Sequence, residues 1–346
     1  MEYNMILFAA SNIAFNESTL TIAPINWVWF LGAVLVFLAL DLGVFHRKPH
    51  VVGFGEAMMW TSIWASMSML FAFWIAPAMV GEQWTEDHTK LFITGYVVEL
   101  SLSMDNVFVI ALIFSFFRVP AEFQHRVLFW GILGALVMRA VMILAGASLI
   151  NQFHWILYIF GAFLLATGIK MLFAGDEEVE PEKNIAIRLA RKFYPISSKF
   201  EGQKFFTELN GQRAMTPLAL CLIMVETTDL IFAVDSIPAI FGITREAFII
   251  FTSNVFAILG LRSLYFLLVG LLRHFCYLKY GLALVLVFIG FKMLIVLWDA
   301  RPTWLMFEDN HNLVLIIVGT ILGLSITFSL LASALRPNKI KEDSKK

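Results

Sequence analysis

Acidic side chains stand inside long apolar stretches of this chain. Glu99 and Asp105 lie in one such stretch, and Glu226, Asp229 and Asp235 lie in a second. A charged side chain at the centre of a membrane helix costs roughly 2.5–3.5 kcal/mol on insertion scales, so five carboxylates require compensation. These groups must therefore face a cavity, pair with cations, bind a metal ion or stay protonated.

Neutral oxygen donors accompany the acids. Asn106 follows Glu99 by seven residues, and Ser236 follows Asp229 by seven, which is two turns of a helix and places each pair on one face. All seven histidines fall in loops or at the ends of apolar runs. Oxygen ligands alone favour Mg²⁺, Ca²⁺ or Mn²⁺ over Zn²⁺ or Cu⁺. The sequence therefore predicts a metal site drawn from Glu99, Asp105, Asn106, Glu226, Asp229, Asp235 and Ser236.

Internal salt bridging is the alternative explanation for the buried acids. Arg139 and Arg262 also lie within apolar runs, and we expect them to balance part of the negative charge. Two arginines cannot neutralise five acids, and the excess favours a bound cation. Pro238 adds to this expectation, because a proline inside a helix removes a hydrogen bond. The carbonyl oxygens released beside Asp235 are a feature of transporters with broken helices.

The elements that hold these residues are membrane spans. Of the 346 residues, 60% are hydrophobic and only 15% are charged, and the mean hydropathy is +0.80. A span needs about 20 mostly apolar residues, and continuous rather than alternating apolar runs indicate helices. We predict an all-α polytopic membrane protein with about nine spans, at 27–45, 56–80, 91–117, 126–150, 153–174, 217–240, 246–272, 277–298 and 312–335.

The distribution of basic residues predicts the orientation of the chain. With the N-terminus outside, 18 of the 25 Lys and Arg residues fall in inside segments and only three fall outside, as the positive-inside rule requires. We expect a multi-pass protein of the plasma membrane with a cytoplasmic C-terminus. Its parts are an extracytoplasmic segment (1–26), spans 1–5 (27–174), a cytoplasmic connector (175–216) with a short amphipathic helix near 184–194, spans 6–9 (217–335) and a cytoplasmic tail (336–346).

An internal repeat relates two groups of three spans. Residues 153–172 and 275–294 align without gaps at an offset of 122, and both contain Gly-x-Lys-Met-Leu, at 168–172 and 290–294. The acidic motifs of spans 3 and 6 match more loosely, so spans 3–5 recur as spans 6–8. Because three is an odd number, the second copy enters the membrane from the opposite side. An inverted repeat with a midplane site is a recurring plan of secondary transporters.

Two strings in the acidic spans carry a resemblance to a known family. VELSLSMDNVFV and VETTDLIFAVDSIPAIF resemble the TerC family, in particular its Alx-like branch, and the resemblance extends from about residue 25 to 335. It implies a fold like that of the LysE superfamily and export of Mn²⁺. The acidic positions that the resemblance implies are Glu99, Asp105, Glu226, Asp229 and Asp235.

The leading hypothesis is a secondary transporter that exports a divalent cation, with Mn²⁺ the expected ion and proton antiport the expected drive. Moving a +2 charge outward costs about 4.6 kcal/mol per 100 mV, which disfavours an uncoupled path. We expect no permanently bound cofactor, no enzymatic activity and no nucleic-acid partner; a second copy of the chain is a possible partner within the lipid bilayer. The alternatives are a scaffold for membrane-protein biogenesis and a tellurite-resistance factor without direct cation transport.

Overall fold

The structure is a computed structural model that describes residues 20, 22–40, 52–153, 155–173, 184–197, 199–209, 211–269, 277–295 and 311–335. Helices dominate it. They are α1 (Pro24–Leu40), α2 (Phe54–Leu70), α3 (Ala76–Val80), α4 (Glu86–Phe116), α5 (Ala121–Gln152), α6 (Ile156–Phe173), α7 (Ile185–Phe193), α8 (Pro217–Phe241), α9 (Ala247–Val269), α10 (Leu278–Ile295) and α11 (His311–Leu335). Strands β1 (Phe206–Leu209) and β2 (Gln212–Met215) form one antiparallel hairpin.

Eight helical segments of the described chain are long and apolar enough to cross a membrane. In one of them a π-helical turn at Phe71–Ile75 joins α2 to α3. The helix α1 is apolar but shorter over its described residues. Large apolar side chains such as Trp74, Val141 and Phe328 are more than half exposed, as expected of a surface that faces lipid. The predicted polytopic helical membrane protein is confirmed.

Some predicted segments fall outside the described residues. These are the tail 336–346, nearly all of the N-terminal segment 1–26 and the first part of the connector, 175–183. The rest of the connector contains α7, which confirms the amphipathic helix expected near 184–194, and a hairpin that the sequence analysis did not predict. Helix α8 continues through Pro238 to Phe241, so this proline does not end the helix. Pro238 has no N–H to donate to the carbonyl oxygen of Val234, and the release of oxygens beside Asp235 stays a prediction.

Helix α9 lies at the centre of the bundle. Almost every one of its side chains is buried, and it packs against α4, α2 and α5. A helix that is apolar on all sides is suited to this position. Phe256 of α9 packs against Phe71 and Phe92, with ring centroids 5.1 and 6.0 Å away. These aromatic contacts hold α4, which carries Phe92, and the π-helical turn, which carries Phe71, against α9.

Helices α6 and α10 pack so closely that their backbones are in contact. A Cβ atom at Gly168 would lie 2.8 Å from the carbonyl oxygen of Ala283, and one at Gly290 would lie 2.7 Å from that of Gly161. Small residues allow this close packing in membrane proteins. The two contacts are reciprocal, because Gly168 and Gly290 are 122 residues apart, as are Gly161 and Ala283. The pairing of early with late residues makes the two helices antiparallel.

Candidate functional site

A buried arginine joins the two acidic helices. Arg139 of α5 is only 2% exposed. Its Nη1 donates to the carboxylate of Glu99 on α4 and to Oγ of Ser236 on α8, at 3.3 Å. Its Nη2 and Nε donate to the two carboxylate oxygens of Asp229, at 3.2 and 3.4 Å. The guanidinium therefore connects three membrane helices through one fork of charge-assisted hydrogen bonds.

Asn106 completes this cluster from α4. Its Nδ2 donates to Oδ1 of Asp229 at 3.2 Å, so the Asp229 carboxylate accepts hydrogen bonds from both an amide and a guanidinium. We call Glu99, Asn106, Arg139, Asp229 and Ser236 the central cluster. Each of them is buried, and the central cluster combines two carboxylates with one guanidinium. One negative charge remains in excess if both carboxylates are ionised.

Two oxygen atoms of the central cluster have no hydrogen-bond partner among the described residues. They are Oε2 of Glu99 and Oδ1 of Asn106, and the two residues are 1% and 3% exposed. A buried acceptor left without a donor costs about 1–3 kcal/mol, and more for a charged group. Native structures tolerate this cost chiefly where a ligand, an ion or water supplies the missing partner. These two oxygens are therefore candidate ligands for a cation.

Glu226 lies one helical turn before Asp229 but points to a different neighbour. Its carboxylate rests against Gly134 of α5, where a Cβ atom would overlap it. It also lines an open groove of about 600 Å³ between α5 and α8, whose other walls are apolar and include Trp130 and Leu222. Glu226 makes no hydrogen bond or ion pair with a described residue. It is thus a separate carboxylate beside the central cluster.

The remaining predicted site residues have other surroundings. Asp105 is half-buried and lies within the electrostatic influence of Lys279, at the start of α10. Asp235 is half-buried on α8. Arg262 lines a small pocket with Trp60 and Trp64 of α2. Among the described residues, no three Asp, Glu, His or Cys side chains converge in a way that could hold a metal ion.

The sequence analysis missed two residues, one beside Glu226 and one in the central helix α9. Gly134 makes room for Glu226, but an isolated glycine in an apolar helix carries no signal of that role. Asn254 of α9 is 1% exposed, and its Nδ2 has no hydrogen-bond partner among the described residues. A lone amide within the apolar string TSNVFAIL is a signal that could have identified it, since buried polar groups normally find partners.

The fold and the central cluster define a polytopic membrane protein with an ion-pair network buried between its spans. The particular family follows from comparison: the chain belongs to the integral membrane protein TerC family, whose model matches residues 84–338. The predicted resemblance is therefore confirmed.

Curated relatives cover most of the chain. The membrane protein STKORF319 of Myxococcus xanthus is 47% identical over 315 residues, which is 91% of this chain and 95% of the relative. Relatives from Salmonella typhi and Escherichia coli K12 are each 48% identical over 277 residues, which is 79% of this chain and 86% of the relative. Both carry the name Alx and are described as candidate membrane-bound redox modulators. No solved structure matches the chain.

Proposed function

We propose that this protein is a secondary transporter that exports a divalent cation, with Mn²⁺ as its substrate, through the carboxylates of α4 and α8. One observation carries the proposal. In the central cluster a guanidinium cation sits among buried oxygen ligands from two acidic helices, while Oε2 of Glu99 and Oδ1 of Asn106 still lack a partner. Carboxylate, amide and hydroxyl oxygens are ligands that Mn²⁺ accepts.

The metal ion and the Arg139 guanidinium compete for the same oxygens in this proposal. At 4 Å and an effective dielectric constant of 20, a +1 and a +2 charge repel by about 8 kcal/mol. The guanidinium must therefore leave Asp229 when the metal ion arrives. Glu226 offers it a second carboxylate, because it lies against α5, the helix that carries Arg139. Arg139 thereby acts as a tethered cation that holds the site together between transport cycles.

The reciprocal contacts of α6 and α10 support the inverted repeat that such a transporter needs. Each contact between residues 168 and 283 has its counterpart between 290 and 161, which is the pattern that a local two-fold axis produces. Helices α4 and α8, the first members of the two repeats, supply the carboxylates of the central cluster. We propose that one repeat moves against the other and exposes this cluster to the two sides in turn.

Proton exchange is the proposed drive. The chain contains no nucleotide-binding motif, and export of a +2 ion against an inside-negative potential of 100 mV costs about 4.6 kcal/mol. Carboxylates that release a metal ion can take up protons in its place. Inward movement of protons down their gradient would then offset the cost of export.

Flux measurements in liposomes test the proposal. The purified chain is reconstituted with an Mn²⁺-sensitive dye and a pH dye, and wild type is compared with Asp229→Asn. We expect Mn²⁺ flux with opposite proton movement in wild type and at least a tenfold loss in the variant. Asp87→Asn is the matched control, because Asp87 lies at the exposed start of α4, where it pairs with Lys90, and this variant should transport normally.

A biogenesis scaffold predicts a different result. In that case folded wild-type protein would show no flux above that of empty liposomes, and the central cluster would serve only to hold the helices together. Equal flux in wild type and Asp229→Asn would instead mean that the protein transports Mn²⁺ but that the ion does not pass through the central cluster.

A further inference from the structure

The short helix α7 has an apolar stripe that no described part of the chain covers. Ile185, Leu189 and Phe193 are spaced four residues apart and so lie along one side of the helix. Their side chains are 76%, 54% and 68% exposed. On the opposite side, Ile187 and Ala190 are buried. A nine-residue helix with apolar residues on two sides needs an apolar environment on its outer side as well.

The position of α7 suggests what that environment is. Ile187 belongs to an apolar cluster with Leu128 of α5 and Leu218 of α8, so the inner face of α7 packs on membrane-crossing helices. Beside the start of α7, Asn184 Nδ2 donates to Sδ of Met224 at 3.2 Å. Met224 follows Pro217, the first residue of α8, by seven residues, which corresponds to about 10 Å along a helix axis. The helix α7 therefore begins alongside a span, and not beyond its end.

Basic residues border the apolar stripe. Arg188, Arg191 and Lys192 lie on α7 and are exposed, and Arg191 and Lys192 form no ion pair with a described residue. The described part of the connector that follows α7 adds three more basic residues, Lys199, Lys204 and Arg213, against only two acidic ones, Glu201 and Glu208. An apolar stripe beside a basic stripe is typical of helices that lie in the plane of a membrane surface.

We propose that α7 is an interfacial anchor whose Ile185, Leu189 and Phe193 enter the lipid while Arg191 and Lys192 bind the phosphates of anionic phospholipids. The leaflet is the one at which α6 ends and α8 begins. Because apolar burial and attraction to anionic headgroups act together in such helices, the occupant is a bilayer surface that contains acidic lipid. This inference does not depend on which ion, if any, the central cluster transports.

Spin labelling of the full chain tests the lipid contact. The label is placed at Leu189→Cys, with Cys276→Ser as background; Cys221 is kept because its side chain is fully buried. The protein is reconstituted in vesicles of phosphatidylcholine with 30% phosphatidylglycerol. We expect the label to collide with oxygen, which is enriched in lipid, and to be protected from a water-soluble nickel chelate. A label at Glu201→Cys, in the exposed loop after α7, should show the reverse.

Two results would overturn the contact with lipid. Collision of the Leu189 label with the nickel chelate would place the stripe in water. Protection from both oxygen and nickel would mean that protein covers the stripe, as a second copy of the chain would do. Neither result would bear on Mn²⁺ flux, so this proposal and the proposed function fail separately.

Substitution of the basic residues tests the headgroup preference. Wild type and Arg191→Gln/Lys192→Gln are released from nanodiscs of equal phosphatidylcholine and phosphatidylglycerol, and retained lipids are counted by native mass spectrometry. Each basic residue near the surface should contribute roughly fivefold to retention of the anionic lipid. Lys90→Gln, at the opposite end of the spans, is the matched control and should retain as much as wild type, because Glu86 and Asp87 already pair with this lysine. Equal retention by the double variant would overturn the assignment of Arg191 and Lys192.

Discussion

Replacing Arg139 with methionine should destabilise the protein and make its stability depend on metal. The change keeps most of the side-chain stem but removes the hydrogen bonds of the guanidinium to Glu99, Asp229 and Ser236. Breaking a buried ion pair by removing one partner costs about 3–5 kcal/mol, because the remaining charge stays buried without compensation. We expect a loss of this size in Arg139→Met without added metal.

A divalent cation should restore part of that stability. With the guanidinium gone, the oxygens of Glu99 and Asp229 can bind Mn²⁺ without a competing charge. A ligand present at 100 times its dissociation constant stabilises a folded protein by about 2.7 kcal/mol, which is more than half of even the largest expected loss. Wild type should gain less, since its metal ion must first displace Arg139.

Thermal unfolding in detergent measures both effects in a Cys276→Ser background, with a fluorogenic thiol reagent that reacts with the buried Cys221 as the chain unfolds. Lys90→Met is the matched control, because it removes a cation whose partner Asp87 is 60% exposed, and such surface pairs contribute about 1 kcal/mol or less. If Arg139→Met unfolds at the temperature of Lys90→Met, the central cluster does not stabilise the fold. If Mn²⁺ leaves Arg139→Met unchanged, the exchange between guanidinium and metal is refuted.

Two glycine substitutions give further predictions. Gly134→Ala should lower Mn²⁺ flux in liposomes, because its Cβ would displace the Glu226 carboxylate, while the melting temperature should change little, since this carboxylate is the end of a flexible side chain beside an open groove. Gly131→Ala, whose Cβ meets a Val225 methyl at 3.3 Å, should transport as wild type does. Gly290→Ala should cost about 1–3 kcal/mol, as overpacking does, when unfolding is followed by the same thiol assay. Gly319→Ala is its control and should be neutral or stabilising, because there is open space around the Cβ position. Equal melting temperatures for Gly290→Ala and Gly319→Ala would contradict the close contact of α6 and α10.

The spans could be predicted from the sequence because a chain that crosses lipid must pair its backbone N–H and C=O groups internally, which a long apolar helix does. The amphipathic α7 was equally readable from its spacing of apolar and basic residues. The hairpin was missed because each strand has only four residues and half of these residues are polar. Its signal was the dipeptide Asn210–Gly211 between the strands, which favours a two-residue hairpin turn. Gly211 indeed has a φ of 77°.

The sequence predicted which residues belong to the candidate site, but not which of them contact one another. Glu226 and Asp229 are three residues apart, and helical spacing placed them on one face. The structure separates them, because Arg139 attracts Asp229 while Gly134 leaves a space that Glu226 occupies. Which neighbour each carboxylate meets depends on the register of α5 against α8. That register is set by packing along both helices and is not visible in the spacing of either one.

The backbone contact between α6 and α10 also restricts how this chain can change over evolutionary time. Where side chains meet, a larger residue on one helix can be offset by a smaller one opposite. Where Gly290 meets the main chain of Gly161, no smaller residue exists to offset a substitution. The reciprocal contact at Gly168 and Ala283 carries the same restriction. The two segments, 122 residues apart in the chain, are therefore bound to keep small residues at both crossings, even as the surfaces around them diverge.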